Sequence, residues 1–268
     1  MFGKRYLIFI ALLSILALNP VFASNFDHGR FNRILSDHVI WTDQGKASEV
    51  NYESLLNDRA DLKLYLDELA RVSRETFNGW SQSEQLAFLI NAYNAGTLEL
   101  ILTEYPDLDS IRDLGGLFRS PWKRDFVNLL GEERSLDTIE HDLIRGSGRY
   151  NEPRIHFAVN CASIGCPALR PDVYTAGQLD VQLEEQTRQF LADRSRNRFQ
   201  GSELQVSLIF KWYREDFEAG WRGKSSLAGF LALYADPLGL NADTLSRLES
   251  GQIDIGFLDY NWALNDLN

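Results

Sequence analysis

The residues best suited to chemistry lie in Arg154–Pro171, RIHFAVNCASIGCPALRP, which holds both cysteines of the chain and one of its four histidines. Cys161 ends an apolar run and is followed by small residues and a glycine. Such a thiol fits a nucleophile beside backbone N–H groups able to stabilise an oxyanion. A histidine would take its proton. If Ile155–Val159 is a buried strand, His156 and Cys161 point to opposite faces, so a bend near Asn160 must bring them together or His141 must serve as the base. Two readings compete with the nucleophile. Cys161 and Cys166 can close a short disulfide loop worth about 2 kcal/mol in chain entropy. A zinc site from His156, Cys161 and Cys166 has loose spacing and no evident fourth ligand, so neither a metal nor another cofactor is expected. HExxH and GxSxG are absent, and GWRGKSS has Glu218 where a P-loop needs its first glycine.

Polar residues in apolar company extend the candidate set. Asn91 and Asn94 share a helical arc with Ala87, Ile90, Leu98 and Ile101, so both amides point where burial is expected. An unpaired buried amide costs roughly 1–3 kcal/mol, so each must find partners. They either tie neighbouring loops to the helix or orient a catalytic group. Glu140 falls in the stripe of Leu136, Ile139, Leu143 and Ile144, with His141 at its edge. A carboxylate there pairs with a cation such as Arg145 or Arg154, has a raised pKa, or orients a histidine. The catalytic candidates are therefore Cys161, His156, His141, Glu140, Asn91 and Asn94.

The elements that must position them are mostly helical. Helical spacing covers Phe26–His38 and Leu55–Val72, and a capping box of Ser81 and Glu84 opens a helix that stops before Pro106. Phe126–Leu130 reads as a strand turning at Gly131-Glu132 into a short helix, Leu136–Arg145, capped by Ser135. Thr175 and Gln178 form a second capping box before a helix ending near Ala192. Strands at Leu204–Ile209 and Ile253–Leu258 bracket helices at Trp212–Ala219 and Leu227–Tyr234. Without regular strand–helix alternation, the class is α+β: a helix-rich domain around a small β-sheet.

The first 23 residues read as a secretory signal peptide, with Lys4 and Arg5 before an apolar run from Tyr6 to Leu18 and a small residue at Ala23. One soluble domain over residues 24–268 then remains, periplasmic in a Gram-negative cell or otherwise secreted, where disulfides persist. The chain carries 38 acidic against 27 basic residues, a net charge of −11, and loss of the leader removes two of the basic ones. Nucleic acid and anionic membrane surfaces are thereby poor partners, which leaves a small-molecule or peptide substrate.

Four blocks, AFLINAYNAGTLELI, RSLDTIEHDLIR, IHFAVNCASIGCPALRPDVYTAGQLDVQLEE and FLDYNWALND, resemble in order the bacterial and plant "domain of unknown function 547" family, from about Val50 to the C-terminus. The resemblance implies that the family's recurrent polar positions fall on Asn91, Asn94, Glu140, His141, His156 and Cys161. Cys166 matches the bacterial form of the motif, which plant relatives can lack, and Asn261 stands where relatives often have Asp. No reaction comes with the resemblance. The residues themselves suggest a thiol-dependent hydrolase or acyl transferase with Cys161 as nucleophile and a histidine base. The alternative is a non-catalytic ligand- or protein-binding domain with a Cys161–Cys166 disulfide.

Overall fold

The computed structural model describes residues 26–116 and 120–267. The expected leader, residues 1–23, lies outside them. Helix Gln82–Ile101 forms the axis of the fold, and its start is held by the capping box: Ser81 Oγ accepts the Glu84 N–H, while Glu84 Oε2 accepts the Ser81 N–H at 2.9 Å. Every residue from Gln85 to Ile101 is buried, as an all-round apolar helix requires. Helix Arg59–Ala70 packs beside it and helix Gly29–His38 packs against Arg59–Ala70, which is preceded by a separate short helix, Tyr52–Asn57, rather than continuous with it.

The class is α+β, but the strands form three small sheets instead of one. Val39–Thr42 pairs with Ala47–Val50, and Val127–Leu129 pairs with Glu132–Arg134. In the third sheet Glu203–Ser207 lies between antiparallel Arg198–Gln200 and parallel Asp254–Leu258. Strands of three to five residues expose too little edge to recruit one another across the helices. The second hairpin turns at Leu130-Gly131, both left-handed at φ 56° and 86°, one residue earlier than expected.

Three other expectations need correction. Ile155–Val159 is not a strand: Pro153–Phe157 is a 3₁₀ helix, with Pro153 in its first turn and the Glu152 side chain accepting the Arg154 N–H. A short apolar run has no period to separate strand from helix, and the proline favours a helix start. Thr175 and Gln178 form no capping box, because the Thr175 N–H is taken by Gln182 Oε1 and helix Leu179–Ala192 starts without a side-chain cap. The expected helix over Trp212–Ala219 is instead two turns, Ile209–Trp212 and Arg214–Phe217, hinged at Tyr213.

The buried side chains form two apolar clusters, one around the central helix and one built from Phe190, Val206, Phe210, Phe217 and Phe230. The 3₁₀ helix joins them, with Ile155 in the first cluster and Phe157 in the second. After the last strand the chain runs back along the cysteine loop. Ile164 N–H bonds Ala263 O at 2.9 Å and Gly165 N–H bonds Asn261 O at 2.8 Å. A Cβ on Gly165 would meet that Asn261 oxygen and the Tyr260 ring at 2.9 Å, so only glycine permits this approach. Asn261 itself caps locally, its Oδ1 accepting the Ala263 N–H.

Candidate functional site

The segment around Glu140 does not finish as the expected α-helix. One α-turn, Leu136–Thr138, passes into a π-helix over Ile139–Arg145, closed by the Gly146 N–H bonding His141 O at 2.7 Å. The wider turn brings residues four apart closer to one line along the axis. Asp137, His141 and Arg145 use that alignment: Arg145 Nη1 donates to His141 Nδ1 at 2.7 Å, and His141 Nε2 lies 3.8 Å from Asp137 Oδ1.

Arg145 also grips Asp216 with two hydrogen bonds, of 2.6 and 3.1 Å, and His156 Nε2 lies 2.6 Å from Asp216 Oδ2. The His156 ring stacks on Tyr213 with centroids 3.9 Å apart. Burial pushes the His156 pKa down, and the hydrogen bond to Asp216 and the Glu140 charge offset this only in part. Burial would raise the Asp216 pKa, but hydrogen bonds from His156 and Arg145 hold it well below the carboxylate range. Arg145 supplies a permanent positive charge, so Asp216 stays ionised while a neutral His156 donates its Nε2 proton. That fixes the tautomer. Nδ1 of His156 is then an acceptor, and it is buried without a partner.

His156, His141, Glu140 and Cys161 line one cleft of ≈ 230 Å³, together with Tyr93 and Tyr213. Glu140 is 5 % exposed, and its Oε1 has no hydrogen-bond partner. The expected ion pair is absent among the described residues: Arg145 is held by Asp216, and Arg154 by Glu152, Asp180 and Glu184. Glu140 instead faces phenols. Burial first, and the Glu140 charge second, raise the Tyr93 and Tyr213 pKa values, keeping both protonated.

Cys161 and Cys166 are joined as a disulfide, so the described structure has no free thiol. Both sulfurs accordingly leave the possible zinc trio, and among the described residues no group of His, Cys, Asp or Glu is arranged to hold a metal ion. Neither imidazole bonds Cys161. Its Sγ lies 3.0 Å from Tyr260 OH and 3.3 Å from Ser163 Oγ. Most N–H groups of the expected backbone oxyanion site are also taken from within the protein. Cys161 N–H points to Cys166 Sγ, Ala162 N–H to Asn160 Oδ1, and Cys166 N–H to Ser163 O, while residues 164 and 165 bond the C-terminal segment. Ala162 takes a left-handed φ of 56° to make this fold-back.

Asn91 and Asn94 stand apart from the cleft. Asn91 clamps Tyr174 by its N–H and C=O at 3.0 and 2.8 Å, and Asn94 holds Ala158 O and the Asn160 N–H at 3.0 and 2.9 Å. Neither orients an imidazole. They tie loops to the central helix, and Asn94 thereby fixes the backbone between His156 and Cys161.

Asp216 and Tyr260 were missed by the sequence reading. A signal for Asp216 was present, since Trp212, Tyr213 and Ala219 stand four and three residues before it and three after, which makes it a carboxylate on an otherwise apolar helical face. Tyr260 sits in the last of the four resemblance blocks, next to Asn261. Burial, opposed by Ser163 and Arg196, raises its pKa and keeps its hydroxyl protonated beside the sulfurs.

Residues 77–191 match the family model described as "Protein of unknown function, DUF547", a shorter stretch than the motifs span. The match includes Tyr93, Glu140, His156 and both cysteines, whereas Tyr213, Asp216 and Tyr260 lie beyond it. Searches of curated proteins and of solved structures found no match. That region, which carries Glu140, His156 and both cysteines, is thus similar to the DUF547 family.

Proposed function

We propose that the chain is an exported thiol enzyme of acyl transfer or amide hydrolysis, held latent by the Cys161–Cys166 disulfide. The supporting observation is the ordered relay from Arg145 through Asp216 to His156, which leaves Nδ1 as an unpartnered acceptor in a cleft that also contains Cys161. An imidazole held by a carboxylate on one nitrogen is arranged to take a proton on the other. An external dithiol supplies two electrons and two protons to open the disulfide. Freed from Cys166, the Cys161 thiol gives its proton to His156 Nδ1, and the thiolate adds to the substrate carbonyl carbon. The oxyanion so formed accepts a hydrogen bond from the protonated Tyr260 hydroxyl, in place of the occupied backbone amides. On collapse the leaving amine or alcohol takes the proton back from His156, and water or a second acceptor then cleaves the thioester. A leader at residues 1–23 supports the exported location and an oxidised resting state.

A second reading is favoured by the closed disulfide and the filled amides: a ligand-binding cleft with a structural cross-link. Mild reduction of the native protein followed by iodoacetamide labelling separates the two. The enzyme reading expects Cys161 to alkylate faster than Cys166, with an apparent pKa below the ~8.5 of a free thiol, and expects Asp216→Asn to slow it. A disulfide that resists reduction until the protein unfolds, or two cysteines labelling at the denatured rate, would move the assignment to the binding cleft.

A further inference from the structure

Two polar atoms of cleft-lining residues lack partners: Oε1 of Glu140 and Nδ1 of His156. With the Nε2 proton committed to Asp216, both are acceptors, so a complementary ligand brings donors. Charge points the same way. Asp137 and Glu140 line the cleft, and among its described lining residues there is no lysine or arginine. Arg145 is occupied on Asp216 and over the Tyr213 ring. The remaining wall is aromatic. Tyr260 and Trp262 have centroids 4.5 Å apart, Trp212 lies 4.9 Å from Tyr260, and Trp122 lies 5.8 Å from Trp262. Ring faces attract cations, and Trp262 already carries one, the Arg112 guanidinium, at 5.4 Å.

We infer that the cleft recognises a small organic ammonium group, its N–H donors directed to Glu140 Oε1 and its charge set against the aromatic wall. A cavity of ≈ 230 Å³ is below the range of drug-sized ligands, so the chain bearing the ammonium is short. The inference rests on the proposed function only in placing the substrate in this cleft, and it requires no thiol chemistry. Charge explains the selectivity: Arg145 feels the Glu140 charge but is bonded to Asp216, so an ammonium adds a direct counter-charge that a neutral head group does not.

The test is a titration of n-butylammonium chloride into the oxidised full chain, followed by tryptophan fluorescence. A saturable change is expected, with none from n-butanol, which has the same chain and a neutral head, or from sodium chloride at equal ionic strength. Glu140→Gln should weaken butylammonium binding about tenfold or more, the loss of one charge-assisted hydrogen bond. A flat titration, an equal response to n-butanol, or undiminished binding by a folded Glu140→Gln variant would overturn the inference. If the variant does not fold, the contrast between butylammonium and butanol on the unaltered protein decides. Because the oxidised chain has no reactive thiol, this result stands apart from the alkylation experiment.

Discussion

The central helix and the cleft beside it bury the same kinds of polar group and treat them in opposite ways. On the helix, Asn91 and Asn94 each use both amide atoms on backbone groups of a facing loop. In the cleft, Glu140 Oε1 and His156 Nδ1 are as deeply enclosed and bond nothing. A satisfied buried polar group fixes one arrangement of the chain, whereas an unsatisfied one costs stability that something else must recover. Unpartnered buried atoms also occur away from the cleft, Tyr174 OH among them, so it is the meeting of two of them with the Arg145–Asp216–His156 relay in one cleft that supports the proposed function. The difference also explains why burial alone could not sort the six candidates of the sequence reading.

The largest expected effect breaks the comparison on the helix side. Asn94→Ala leaves Ala158 O and the Asn160 N–H buried without partners, a loss of roughly 2–5 kcal/mol measurable by urea denaturation. A loss below about 1 kcal/mol would mean that the clamp is dispensable, and the contrast with the cleft would disappear.

Acid pH probes one histidine outside the cleft and one within it. Burial, only partly offset by the Asp27 charge, pushes His28 down to about 4, and it pushes His156 below its ordinary 6.5 as well. Between about pH 6.5 and 4 the unfolded histidines bind protons that the folded ones refuse, so the free energy of unfolding rises with pH across this window. Acidification from pH 7 should therefore lower stability, with a slope of at most about 1.4 kcal/mol per pH unit for each histidine. Asp216 acts lower still, its contribution complete above the unfolded carboxylate value and lost as pH falls towards its depressed folded value. In His28→Gln the remaining slope above pH 5 belongs to His156. Finding that slope abolished would show that the cleft imidazole is not held neutral by burial.

The smallest effect sharpens the cleft side. Glu140→Gln breaks no direct ion pair, since Arg145 and Arg154 are held by other carboxylates, so its free energy of unfolding should shift by less than about 1 kcal/mol, in either direction. A loss of several kcal/mol would reveal a buried counter-ion and return Glu140 to a structural role.

By itself the sequence determined what depends on near neighbours. The Ser81–Glu84 capping box set the start of the central helix because its partners are three residues apart. Helical spacing likewise set Asn91, Asn94 and Glu140 among apolar neighbours, and all three are buried, although the central helix is buried on every face and Glu140 lies in a π-helix. Where no period existed, as in Ile155–Val159, the strand expectation failed, and with it the argument that His156 and Cys161 must diverge. Only the tertiary structure decided who meets whom. Asp216 reaches His156 across 60 residues and Tyr260 reaches Cys161 across 99, separations over which hydrophobic spacing carries no register. The choice between clamp and orphan was equally out of reach, because a buried asparagine and a buried glutamate look alike in a pattern of polar and apolar letters. What distinguishes them is whether packing of distant segments happens to deliver a donor or acceptor within about 3 Å.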